Sequence, residues 1–169
     1  MRAKVVVAGH ALHPMLIAFP LGLLTTSVVW DVCRLVSQRR PWGMISFWTI
    51  VAGVIGAVLA AVPGFIDWLA IPAKTRAKQI GLYHMVLNLA VLALFVVSLA
   101  ARWAAPGGYA EAGVGRMIWG WIGVAIAVVS AWLGGELVET LGIGVREDAN
   151  PDAPSSLAPR ARSRVHVRS

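Results

Sequence analysis

The sequence predicts an all-α, integral membrane four-helix bundle with short loops and a disordered C-terminal tail. Three observations carry that expectation. Of 169 residues, 58% are hydrophobic and only 14% charged, whereas a soluble domain has about a quarter of its residues charged. So few charges could not cover a soluble surface, and the mean hydropathy of +0.72 agrees. Second, four apolar runs, at about 14–36, 44–69, 79–101 and 117–141, divide the chain. A 22-residue helix is about 33 Å long, enough to cross a hydrocarbon core of about 30 Å. Third, most of the 15 Lys and Arg that give the net charge of +7 lie between or beyond these runs. Topology signals and lipid contacts are expected there, and they explain the charge better than nucleic acid does.

Several chemistries are excluded at once. The single cysteine, Cys33, allows neither an intrachain disulfide nor a Cys-only metal site. There is no C-x-x-C-H for covalent haem attachment, no G-x-S-x-G and no phosphate loop. The basic start, Met1-Arg-Ala-Lys4, is followed by no small-residue cleavage motif, so the first apolar run reads as a retained span.

In order, residues 1–12 form a basic N-terminal arm, residues 13–142 the four-span domain and residues 143–169 a basic tail poor in apolar residues. His13-Pro14 opens the first span, where a proline costs no backbone hydrogen bond. Pro20 is expected to bend it, and Asp31 and Arg34, at i and i+3, are spaced to pair where it leaves the bilayer. The second span carries Gly53, Ala57, Ala60 and Gly64 on one stripe, and the fourth Gly120, Gly123, Ala127 and Gly134; small residues at that spacing admit a neighbouring helix. Pro63-Gly64 is expected to interrupt the second span near its end. His84 and Asn88 share a face of the third.

Four crossings place both termini on one side, here side A. It holds ten Lys and Arg against five on side B, or six against five without the distal tail, which favours N-in, C-in. Trp30, Trp42, Trp48, Trp103 and Trp119 lie near side B, as an interfacial belt would. The same count brings ionisable groups from all four helices to one level on side A: His10 and His13, Asp67, His84, then Glu136 and Glu139, with Asn88 about 5 Å deeper. His10 and Glu139 are equally well explained as residues wetted by interfacial water. His84 and Glu136 lie several residues inside apolar runs, where ionisable groups usually face the bundle interior.

Several ordered motifs resemble the domain of unknown function 2231 (DUF2231) family of four-helix bacterial membrane proteins. They are His10-x-x-His-Pro-Met-Leu-Ile-x-Phe-Pro-x-Gly22, Asp31, Ala61-Val-Pro-Gly-x-x-Asp-Trp68, His84 with Asn88, Gly134-Gly-Glu-Leu137 and Gly142-x-Gly-Val145. The resemblance covers about residues 8–146. It implies the architecture and a bacterial inner membrane, and brings no established activity. One departure is Ala18, where members often carry another histidine.

Three functions compete. The first is a redox site: a metal ion held by His10, His13, Asp67, His84 and Glu136, supported by Asn88 and Glu139, or a b-type haem held between His13 and His84. The second is a proton or ion pathway through the same groups. The third is a structural lock in a protein that anchors another membrane complex or a homo-oligomer. Interhelical hydrogen bonds average only about 0.6 kcal/mol in membranes, a weak reason to gather five such groups. The tail Pro159-Arg-Ala-Arg-Ser-Arg-Val-His-Val-Arg168 is expected near anionic headgroups, with nucleic acid a poor second.

Overall fold

Four long helices carry the fold, and the computed structural model describes residues 1–157 of the chain. They are α1 (Leu12–Ser37), α2 (Arg40–Leu69), α3 (Arg76–Trp103) and α4 (Val114–Gly135), the last continuing as a π-turn over Glu136–Thr140. All four are long and apolar enough to cross a membrane. The first three exceed their expected spans by three or more residues, because the polar residues flanking an apolar run still satisfy their backbone groups helically. The tail segment Pro159–Arg168 lies outside the described residues.

The helix ends follow from local chemistry. Pro14 sits in the first turn of α1, and Gln38 closes that helix in the left-handed conformation, its N–H donating to the Arg34 carbonyl at 2.9 Å. Only Gln38 and Arg39 separate α1 from α2, shorter than the turn expected over 37–43. Pro41 lies in the first turn of α2. Thr75 caps α3, its Oγ1 accepting from the Lys78 N–H at 3.2 Å. Contrary to expectation, Pro63-Gly64 does not interrupt the second span. Pro63 forfeits one backbone hydrogen bond, and α2 runs on to Leu69.

The helices form two tight hairpins, α1 on α2 and α3 on α4. Contacts of α2 with α3 and of α1 with α4 are sparser, so α1 and α3 stand across a diagonal. The small-residue stripes serve as expected. A Cβ on Gly53 would stand 2.6 Å from Leu24 Cδ2, and one on Gly123 would stand 3.0 Å from Phe95 Cε2.

Polarity is arranged as lipid demands. Phe19, Val128 and Trp132 are each about two-thirds exposed on the outside, an arrangement water would not tolerate over so large an area. Inside, three layers stack along the bundle. At the side-A end are His13, His84, Asn88 and Ser130. Leu24, Ile50, Val91 and Phe95 fill the middle. At the side-B end Arg102 donates two hydrogen bonds to Asp31, at 2.7 and 2.6 Å, and Ser46 and Trp121 donate to the same carboxylate.

This last layer corrects the expected Asp31–Arg34 pair. Asp31 turns inward to Arg102, while Arg34 reaches the Ala110 carbonyl and Glu111. Spacing i, i+3 permits the local pair, but a carboxylate in a low-dielectric interior gains more from a two-point guanidinium beside further donors. Near side B, Trp30 stacks on Trp42 at 5.4 Å, and Trp48 and Trp103 gather around Phe47 and Tyr109.

The basic arm folds back as a small antiparallel hairpin, β1 (Val6–Val7) on β2 (His10–Ala11). The amino terminus donates to the Gly142 carbonyl, and the Lys4 and Val5 N–H groups both donate to Asp67 Oδ1. The arm thus covers the side-A end of the bundle.

Candidate functional site

His13 stands in the first turn of α1 and leans across to α2, where its Nδ1 lies 2.8 Å from the Ala60 carbonyl oxygen. The ring rests on Gly64, where a Cβ would come 2.7 Å from Nδ1. His84 repeats this in the second hairpin. Its Nδ1 lies 2.8 Å from the Ser130 carbonyl oxygen, and its ring rests on Gly134, where a Cβ would come 3.1 Å from Cε1.

A carbonyl oxygen only accepts, so in both rings Nδ1 carries a proton, and in the neutral form of either ring the lone pair is on Nε2. Asn88 Nδ2, 3.2 Å from His84 Nε2, can only donate, which agrees. Asn88 Nδ2 also donates to Ser130 Oγ at 2.8 Å, so this amide is held in place.

The two imidazoles meet across the diagonal between α1 and α3, with ring centroids 6.4 Å apart and planes at 88°. Both are partly buried. The Nδ1–H to carbonyl bond is the customary support of a ligating histidine, fixing tautomer and ring orientation.

The other residues expected at this level are engaged elsewhere. His10 is exposed on the arm, its Nδ1 3.2 Å from the Ala8 carbonyl oxygen. Asp67 holds the arm through Oδ1. Glu136 pairs with Arg76 at 2.6 Å and accepts from Thr140. Glu139 is exposed. Among the described residues, no three His, Cys, Asp or Glu side chains come together to hold a metal ion. The five-residue set of His10, His13, Asp67, His84 and Glu136 is therefore not assembled. These carboxylates sit at the bundle rim, where backbone donors and a solvated arginine compete for them. Ala18 is exposed on the outer face, away from this pair.

The comparison with protein families matches residues 9–147 to DUF2231, described as a predicted membrane protein. The chain belongs to the DUF2231 family. Searches of curated proteins and of solved structures gave no match. In this DUF2231 chain the paired histidines stand on two of the motifs that carried the resemblance.

Sequence reasoning missed Ser130 and the Ala60 and Ser130 carbonyls. Backbone acceptors leave no sequence signal. Ser130 did leave one, as a lone hydroxyl inside an apolar run. Arg102 follows the third apolar run on side B, and nothing in the sequence around it indicates that it turns fully inward.

Proposed function

We propose that this membrane protein binds a b-type haem and acts in electron transfer, with His13 and His84 as the residues that would hold the haem. The observation that carries the proposal is the diagonal imidazole pair, 6.4 Å between centroids, with both Nδ1 groups anchored to carbonyls. A zinc-type ion takes three or four protein ligands. A haem asks the protein for only one or two ligands, which suits a site with two histidines and no third donor. When bound, such a haem would supply one-electron chemistry.

The chain's own contribution is orientation and exclusion of water. Ala60 and Ser130 fix the tautomers, Gly64 and Gly134 let the rings lie against helix backbone, and the N-terminal arm screens the end of the bundle. On binding, Asn88 would release the His84 lone pair while keeping its bonds to the His84 carbonyl and Ser130. The apolar layer of Leu24, Ile50, Val91 and Phe95 separates the two polar ends. It speaks against a continuous proton or ion path through the monomer.

The Lys and Arg distribution supports an N-in, C-in orientation in a bacterial inner membrane, with the histidine pair near the cytoplasmic face. The 13–142 unit would be the haem-holding domain, and the basic tail a headgroup-binding extension. A partner membrane protein or second copy would exchange the electron.

The test is spectroscopic. The protein is expressed with haem supply, purified in detergent and scanned in oxidised and reduced forms. A Soret band with the sharp reduced bands of a six-coordinate haem, absent from His13→Ala and His84→Ala, is the expected result. A colourless protein that also fails to take up added hemin in equimolar amount would overturn the proposal.

A further inference from the structure

Chain spacing in this protein repeats. His13 and His84, Leu24 and Phe95, Ser27 and Ser98, Asp31 and Arg102 are each 71 positions apart. Between α2 and α4 the offset is 70: Gly43 and Gly113, the latter just ahead of α4, then Gly53 and Gly123, Ala57 and Ala127, Ala60 and Ser130, Gly64 and Gly134. The contacts repeat with the spacing. Leu24 packs on Gly53 as Phe95 packs on Gly123, and His13 meets Ala60 and Gly64 as His84 meets Ser130 and Gly134. Burial repeats as well: Leu24 and Phe95, Ser27 and Ser98, Asp31 and Arg102 are all buried. Each hairpin contains two crossings, so the copies run in the same direction and are related about an axis along the membrane normal.

We infer that the chain is a tandem duplication of one two-helix unit, and that Asp31 and Arg102 are the residues that make the two copies pair with each other. Histidine against histidine, serine against serine and apolar against apolar are all compatible with a hairpin meeting its own kind. Positions 31 and 102 are not. Two first hairpins would bring two aspartates together across the axis, and two second hairpins two arginines. Both would be buried like-charge contacts, since neither side chain is more than 1% exposed in the native pair. Only the first hairpin on the second yields the two-point ion pair, with Ser46 and Trp121 completing the carboxylate's shell. Excluding wrong partners by unpaired buried charge is a general source of specificity, and a buried polar pair can set register at no gain in stability.

The test uses the full chain carrying Asp31→Leu and Arg102→Leu together, co-expressed as two differently tagged copies beside a wild-type control. Replacing both ions with apolar groups removes the selection while sparing the fold. The double variant is expected to accumulate in the membrane, with its tagged copies co-purifying several-fold more than wild-type copies as hairpins exchange between chains. Co-purification at the wild-type level would overturn the inference. So would failure of the double variant to accumulate, since the pair would then be needed for folding itself. Neither outcome depends on what the histidines bind.

Discussion

Arg102 and Asp31 face each other across the bundle diagonal in a two-point ion pair of 2.7 and 2.6 Å, sealed from solvent. Every polar atom of the cluster has a partner, and among the described residues no buried side-chain nitrogen or oxygen is left without one. Removing one ion would strand the other in a low-dielectric interior. Arg102→Leu alone is expected to lower stability by about 3–5 kcal/mol, read as a large fall in the thermal midpoint of the detergent-purified protein. Arg40→Leu, which breaks an exposed pair with Glu111, should change it by about 1 kcal/mol or less. Equal effects from the two variants would deny the Asp31 pair its central place.

The histidines should separate sharply by position. His13→Ala and His84→Ala are each expected to abolish haem binding, while His10→Ala, altering an exposed arm residue, leaves the spectrum unchanged. The measurement is haem stoichiometry after reconstitution with hemin. A loss at His10 equal to that at His13 would contradict the assignment.

Gly64 and Gly134 should respond in graded fashion. A Cβ at position 64 would stand 2.7 Å from His13 Nδ1, one at 134 would stand 3.1 Å from His84 Cε1. Gly64→Ala must therefore push its imidazole further than Gly134→Ala. Overpacking of this kind costs about 1–3 kcal/mol. Hemin titration should show the weaker affinity in Gly64→Ala; the reverse order would mean that the rings do not bind in the orientation described.

Gly43 makes a different claim. A Cβ there would collide with the Ala110 carbonyl oxygen, and that backbone cannot swing aside as a side chain would. Gly43→Ala is expected to displace the Ala110–Glu111 turn and release Arg34 from both its partners there. Arg34→Leu should then lower the thermal midpoint less in the Gly43→Ala background than in the wild type; an equal loss in both would mean that Arg34 keeps its partners.

Asp67 ties the arm down through two backbone donors. Asp67→Ala should make residues 1–11 readily cleaved by protease in detergent, with the four helices intact by circular dichroism. An arm as protected as in the wild type would show that the contact between Met1 and Gly142 is sufficient by itself.

The bundle was legible in the sequence because hydropathy and length answer to a single physical demand. In lipid every backbone group must bond within its own helix, so runs of 20 or more apolar residues leave few alternatives. The level at which His13, His84 and Asn88 lie was legible too, since crossings can be counted. Which of the side-A groups would meet could not be read that way. Asp67 and Glu136 share the level of the histidines, yet one binds the arm's backbone and the other Arg76 and Thr140. Level is a coordinate along the membrane normal, and it carries no information on helix rotation.

Composition and spacing by themselves determined the membrane class, the four spans, the faces carrying small residues and the depth of each polar group. Tertiary structure alone decided the partners: His13 with His84, Asp31 with Arg102 and not with nearby Arg34. Those pairs join helices across a diagonal, and their rotation is set by how Leu24 and Phe95 seat against Gly53 and Gly123. That packing depends on side-chain shapes from both hairpins at once, which no periodicity along a single helix encodes.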